Sequence, residues 1–176
     1  MSRRSRRPLV AIVVVLAALL AAAPAGASDA GLRELVAGAG PVRERVERDL
    51  RSVGTTPMTS VAAAVRHLRR AGRIHDRVRR TVGDLRGRFV AEPADTALAD
   101  AGRTQVLDGL RDLEGATGRL ARADRTAASR LSRARSEAAV RRAARAYERS
   151  GRSADRLARR GYERAERGGR SIALAR

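Results

Sequence analysis

The chain has 176 residues, and its 38 basic residues against 19 acidic ones give a formal charge of +19 at neutral pH. Every basic residue is an arginine, and the sequence contains no cysteine, lysine or tryptophan. These absences exclude disulfides, a lipid-modified cysteine anchor, a thiol nucleophile, a lysine Schiff base and a P-loop. Because only 2% of the residues are aromatic, few side chains are available to stack on nucleic-acid bases.

The N-terminal segment has the pattern of a secretory signal, in which arginines precede an unbroken apolar run from 9 to 23. A helix of that length spans about 22 Å, which is less than the hydrocarbon core of about 30 Å. Cleavage and export are therefore favoured over the alternative, an N-terminal membrane anchor. The residues leave open whether export follows the general or the twin-arginine route. The predicted signal peptide covers 1–27, and the residues at the predicted cleavage site are Ala25, Ala27 and Ser28.

The segment from 28 to 123 is predicted to form a helical core. Its apolar residues recur at helical spacing, and no segment alternates with a period of two for long enough to suggest a strand. Gly40 and Pro41 are expected to interrupt the first stretch, with Pro41 opening its second piece. Asp95 or Thr96 is the expected N-cap of the third. Four glycines in the third stretch are expected to weaken that helix. The predicted helices lie at about 29–53, 60–89 and 97–123.

The segment from 124 to 167 is predicted to form a long basic amphipathic helix, and 168–176 a flexible tail. Large apolar side chains are scarce here, and the face opposite the arginines is mostly alanine and glycine, so weak docking on the core is expected. Eight arginines share one half of this helix surface at 100° per residue. Because most arginines from Arg119 onward have no acid four residues earlier to pair with, we predict that this face binds polyanions. The eight arginines of the face are Arg141, Arg145, Arg149, Arg152, Arg156, Arg159, Arg160 and Arg167.

Signals for catalysis are nearly absent. His67, His75 and Asp76 are the best candidates for a metal site, but their spacing matches no metal-binding motif. No nucleophile elbow is present, and the remaining carboxylates are spaced like those of a solvated helix surface. We therefore assign no catalytic residue, metal, cofactor or small-molecule ligand.

The sequence as a whole predicts an exported, all-α protein: an antiparallel bundle of three to four helices with a long arginine-faced C-terminal helix. The leading functional hypothesis is non-catalytic binding of a polyanion, which could be anionic lipid, a wall polymer or the nucleic-acid backbone. The alternative is a structural coiled-coil module of the cell envelope, whose alanine-rich face pairs with a partner or a second copy. Only the first hypothesis predicts binding that weakens as salt is added.

Overall fold

The computed structural model describes residues 29–54 and 59–175, which form the all-α helical bundle that the periodicity predicts. Within these residues there are five helices and no strands. The predicted signal peptide over 1–27 and its cleavage-site residue Ser28 lie outside the described residues. The helices are α1 (Ala30–Ala37), α2 (Ala39–Val53), α3 (Val61–Ala91), α4 (Ala97–Ser132) and α5 (Glu137–Leu174).

The three long helices each begin at a hydroxyl side chain. The side-chain oxygens of Ser60, Thr96 and Ser136 accept hydrogen bonds from the backbone amide three residues later, at 3.1, 3.2 and 3.3 Å. Such caps satisfy an amide that has no partner within the helix, and each contributes about 1 kcal/mol to stability. Thr96 is one of the two residues predicted to cap its helix, whereas the cap at Ser136 was not predicted.

The structure corrects the predicted boundaries near 124 and 168. α4 continues without a break to Ser132, so the last helix does not begin at 124, and the connection lies at 133–136. α5 continues to Leu174, so most of the predicted tail is helical. Gly168 and Gly169 are buried there. Tertiary packing thus stabilises a helical stretch that intrinsic propensity disfavours.

The first predicted helix is also divided differently from the expectation. α1 and α2 meet at Gly38, which ends one helix and precedes the other. Pro41 falls in the first turn of α2 instead of opening it. Because the amides of a first turn have no partner within the helix, the missing N–H of proline costs nothing there.

The largest apolar core lies where all five helices contribute side chains. Its bulkiest members are Phe89 of α3, Leu32 of α1 and Ile172 of α5, each at most 1% exposed. A smaller apolar cluster lies nearer the connection between α4 and α5. Its fully buried members are Val65, Leu68, Ala127 and Ala128. The apolar core is therefore larger at the end of the bundle that contains α1 and α2.

α4 and α5 pack through small residues that repeat every seven positions. A Cβ atom added to Gly161 would lie 2.7 Å from the carbonyl oxygen of Gly109, and one added to Gly102 would lie 2.7 Å from that of Gly168. The two backbones are therefore too close for any side chain at these points. The glycines expected to weaken the third helix, and the small-residue face expected to dock weakly, together form the closest helix contact in the described residues. The repeat consists of Gly102, Gly109, Ala116 and Ala123 on α4, and Ala154, Gly161, Gly168 and Ala175 on and just after α5.

Candidate anion-binding groove

The eight predicted arginines are all exposed, but they occupy different surroundings along α5. Near its C-terminal half, Arg159 forms an ion pair with Asp155 at 3.1 Å, and Arg160 Nε lies 3.0 Å from Asp112 Oδ2 on α4. Arg141, at the other extreme, pairs with Glu137. The remaining members have no carboxylate oxygen within 4.0 Å among the described residues. They are Arg145, Arg149, Arg152, Arg156 and Arg167.

Antiparallel packing places parts of three helices at the same end of the bundle. Two contacts mark one level along the bundle axis. Between α3 and α4, the Cδ atom of Arg79 would lie 3.2 Å from a Cβ added to Gly118. Between α4 and α5, Arg119 donates to Ser153 Oγ at 3.0 Å. We use this level to divide the described residues into two ends. The basic end comprises 59–80, 117–136 and 137–154, and the neutral end comprises 29–54, 81–116 and 155–175. α2 is counted whole with the neutral end, although its last turns contact α3 beyond this level, through Val53 and through Asp49, which pairs with Arg77.

The net charge of the described residues lies entirely at the basic end. It carries 18 arginines and four acidic residues, whereas the neutral end carries 15 of each. Three of the four acidic residues are already engaged: Asp124 is buried, Asp76 pairs with Arg125, and Glu137 pairs with a neighbouring arginine. The positive potential is therefore a property of the folded bundle, and α3 and α4 contribute to it as well as α5.

A groove with a volume of about 450 Å³ opens between α4 and α5 at the basic end. Its floor is made of alanine methyl groups and the ring of Tyr147, because no larger side chain from either helix fills the space. Arginines stand along both rims, and three hydroxyl side chains lie between them. The lining residues are Arg119, Arg122, Ala123, Thr126, Ala127 and Arg130 of α4, and Ala143, Ala146, Tyr147, Arg149, Ser150 and Ser153 of α5.

The groove arginines are largely without partners in the protein. Arg119 donates to Ser153. The side chains of Arg122, Arg130 and Arg149 form no ion pair or hydrogen bond with any described residue. Their side chains are exposed, so no desolvation penalty prevents this accumulation of like charge. A guanidinium group carries up to five donors in a planar fork that matches phosphate and carboxylate oxygens. The groove therefore combines guanidinium donors from both helices with an apolar floor.

A buried polar network supports the floor from below. The Asp124 carboxylate, fully buried, accepts a hydrogen bond from the Tyr147 hydroxyl at 2.9 Å and lies 2.6 Å from His75 Nδ1. Because an ionised carboxylate can only accept, Nδ1 must carry the proton. The network joins α3, α4 and α5, and it fixes Tyr147 between the groove and the interior.

The network leaves one nitrogen without a partner. His75 is 2% exposed, and its Nε2 is buried without a hydrogen bond in the described structure. Burial, together with the negative charge of Asp124, raises the pKa of the Tyr147 hydroxyl. That hydroxyl is therefore neutral across the physiological range and acts as a hydrogen-bond donor, which does not favour a role as a base or nucleophile.

The candidate metal ligands are not brought together. His75 contacts Asp124 instead of Asp76, and Asp76 pairs with Arg125. Over 29–54 and 59–175, no group of three or more His, Cys, Asp or Glu residues is arranged to hold a metal ion.

Comparisons with known proteins identify no relative of this chain. No family model matches the chain, and no curated protein or solved structure is significantly similar to it. Within the described residues, no helix is both long enough and apolar enough to cross a membrane. The site is therefore interpreted from its own geometry.

Sequence reasoning identified one groove residue, Arg149, and missed the rest of the site. Arg119 and Arg122 belong to the predicted helix at 97–123, whose glycines were expected to weaken it, and Arg130 lies in the predicted basic helix but outside its face of eight arginines. The buried link between His75 and Asp124 was missed because the two residues are 49 positions apart. The available signal was the repeat of small residues on both helices, which sets the register that brings the rims together.

Proposed function

We propose that this chain is an exported, non-catalytic protein that binds phosphate-rich polyanions through its basic end. The observation that carries the proposal is the uneven division of charge, with 18 arginines against four acidic residues at one end of the bundle and equal numbers at the other. Guanidinium groups bind phosphate oxygens in pairs, and a concentrated positive field also raises the rate of encounter with an anionic polymer. Export is proposed from the sequence signal at 1–27 alone.

The arrangement favours a repeating anion over a single compact one. The basic end presents arginines on the outer surfaces of α3, α4 and α5, including Arg66 and Arg70 on α3 and Arg145 and Arg152 on α5. All four are exposed and have no carboxylate partner among the described residues. With so few aromatic residues, contact with nucleic acid would be to the backbone and without sequence preference.

The alternative function, a helix-pairing module, has less support. The small-residue face of α5 is buried against α4, and Gly161 and Gly168 lie at the points of closest approach. Pairing with another chain through that face would require α5 to leave α4. That alternative predicts association that does not depend on salt.

The proposal is tested by salt-dependent binding to duplex DNA, used as a model polyanion. If about five phosphates are neutralised, the logarithm of affinity should fall against the logarithm of salt concentration with a slope of roughly −4 to −5. A variant with R66Q, R70Q, R145Q and R152Q removes four charges from the basic end without changing the groove lining. It should bind more weakly and with a shallower slope, because fewer counterions are released.

A matched control removes the same charge from the neutral end. Arg45, Arg48, Arg88 and Arg167 are exposed helical arginines without a carboxylate partner in the described structure. Changing all four to Gln should leave the slope close to that of the parent. Equal losses in the two variants would show that only total charge matters, and no salt-dependent binding by the parent would overturn the proposal.

A further inference from the structure

We infer that the groove between α4 and α5 is a binding site for an amphiphilic phosphate monoester, with the phosphate between the two rims and the apolar group on the floor. The inference rests on the proposed function, since it assigns a particular ligand class to one part of the basic end. It goes further because the groove has a feature that a polyanion does not require. That feature is an apolar surface lying directly beneath unpartnered arginines.

The charge of the rims fits a doubly charged group. Arg122 and Arg130 on α4 and Arg149 on α5 are not neutralised by any carboxylate in the described residues. A single carboxylate would leave most of this charge uncompensated. A phosphate monoester carries close to two negative charges at neutral pH and three terminal oxygens, so it can accept from guanidinium groups on both sides of the groove.

Hydroxyl groups complete the polar surroundings. Ser153 Oγ accepts from Arg119, which leaves the Ser153 proton available for an anion oxygen. Thr126 forms no hydrogen bond with another described residue, so its hydroxyl is also available. Ser150, by contrast, donates to Ala146 O at 3.2 Å. Neutral donors of this kind add directional contacts to a phosphate without adding further repulsion between cations.

The floor fits an apolar group and not a second charge. Ala123, Ala127 and Ala143 are each at most 9% exposed, and Ala146 and the Tyr147 ring extend the same surface. A volume of about 450 Å³ lies within the range that holds a small organic ligand. Water on such a floor finds few partners, so its displacement by an alkyl group is favourable.

The floor is also held in place before any ligand arrives. The Tyr147 hydroxyl is bound by Asp124, which in turn contacts His75. A side chain restrained in this way loses little conformational freedom when a ligand packs against it, and this lowers the cost of binding. The floor of the groove is therefore preorganised, whereas the arginines on the outer helix surfaces border no comparable apolar surface.

The test uses n-dodecyl phosphate, below its micelle concentration, as the probe in titration calorimetry. Inorganic phosphate and dodecanol serve as the two halves of the probe. Dodecyl phosphate should bind at least about tenfold more tightly than either half, because rims and floor act together. Equal binding of inorganic phosphate would overturn the inference, since the floor would then contribute nothing. Absence of dodecyl phosphate binding would overturn it as well.

Two variants examine the rims and the floor separately. R122Q with R149Q removes one unpartnered arginine from each helix and should weaken dodecyl phosphate binding by about tenfold or more. A146L places a larger side chain on a partly exposed floor position and should weaken it similarly. R145Q with R152Q is the matched control, because it removes the same charge outside the groove lining. An equal loss of affinity in this control would mean that the overall positive potential of the basic end attracts the probe, and it would overturn the assignment to the groove.

The same variants separate the two proposals. A146L should bind duplex DNA as the parent does, because it leaves every charge in place. If dodecyl phosphate fails to bind while DNA binding remains salt-dependent, the groove inference is wrong and the proposed function stands. If dodecyl phosphate binds in the groove while DNA does not bind, the polyanion proposal is wrong and the groove is a site for a discrete ligand.

Discussion

The two ends of the bundle are stabilised by different interactions. At the neutral end, five helices share a large apolar core, glycines allow α4 and α5 to touch, and acidic and basic residues balance. At the basic end, α1 is absent and only the last turns of α2 contact α3, the apolar clusters are small, and a buried carboxylate joins α3, α4 and α5. The difference indicates that one end secures the fold, while the other combines like charges with an open groove.

The concentration of arginines is expected to lower the stability of the basic end. Like charges at close range repel each other, and the surrounding solvent only partly screens them. The polar network and the small apolar cluster must therefore hold three helix ends together against that repulsion. Proteins commonly accept lower stability where a surface is specialised for binding. Three perturbations test whether the two ends differ in this way.

The largest effect is expected from D124A, which removes the acceptor shared by His75 and Tyr147. Each buried donor left without a partner costs about 1–3 kcal/mol, so the free energy of unfolding should fall by about 2–6 kcal/mol. Urea unfolding followed by circular dichroism measures this change. The reason is that His75 and Asp124 are buried between packed helices, and the Tyr147 hydroxyl points from the groove toward them.

A second carboxylate on α4 provides the control for that experiment. Asp112, at the neutral end, forms ion pairs with Arg160 at 3.0 Å and Arg164 at 3.2 Å across to α5; the arginine side chains are 57% and 40% exposed and that of Asp112 is 16% exposed. Both arginines keep contact with solvent when Asp112 is removed, and pairs of this kind contribute about 0–1 kcal/mol, so D112A should have a smaller effect than D124A. Similar losses for D112A and D124A would contradict the view that a buried network secures the basic end.

A smaller effect is expected at the contact between α4 and α5. A Cβ added to Gly161 would lie 2.7 Å from Gly109 O and 3.0 Å from Leu113 N, so the helices must separate. Overpacking of this kind costs about 1–3 kcal/mol, and G161A should lower the melting temperature accordingly. Gly151, on the same helix, has no atom within 4 Å of an added Cβ. G151A should therefore stabilise the protein by up to about 1 kcal/mol. Equal responses at the two positions would show that the close contact is not present in solution.

The smallest effect depends on pH and concerns the neutral end. The Asp29 carboxylate accepts hydrogen bonds at 2.6 Å from the Thr96 hydroxyl and from the Asp95 amide, which ties the start of α1 to the start of α4. The pKa of Asp29 in the folded protein lies below its ordinary value of 3.8, chiefly because the Thr96 hydroxyl donates to the carboxylate. The backbone amides of Asp95 and Thr96 lower it further. Asp29 therefore stabilises the fold above about pH 3.8, and this stabilisation is lost as pH falls through the lower folded pKa.

D29N measures that contribution. At neutral pH the variant should unfold more easily than the parent, since an amide oxygen replaces a charged acceptor. The difference between the two should begin to shrink as pH falls below about 3.8, where the unfolded carboxylate takes up a proton, and should be smallest below the lower pKa of Asp29 in the folded parent. A difference that stays constant from neutral pH to strong acid would contradict the role assigned to this carboxylate.

The sequence by itself determined the elements that depend on local pattern. Helical spacing of apolar residues is enough to predict an all-α chain, the start of α3 near Ser60 and the cap at Thr96. The arginine-rich face of α5 was also visible, because residues on one helix face recur at known intervals. These features depend on neighbours within a few positions, and such neighbours can be recognised from one sequence.

Only the tertiary structure decided which distant residues meet. The basic end exists because antiparallel register places α3 before Arg80 beside the second half of α4 and the first half of α5. The same register turns glycines that weaken an isolated helix into contact points, and it carries α5 through to Leu174. It also joins His75 to Asp124. Pairing over such separations is set by the packing of complementary surfaces, and no local pattern in one helix contains the shape of the other.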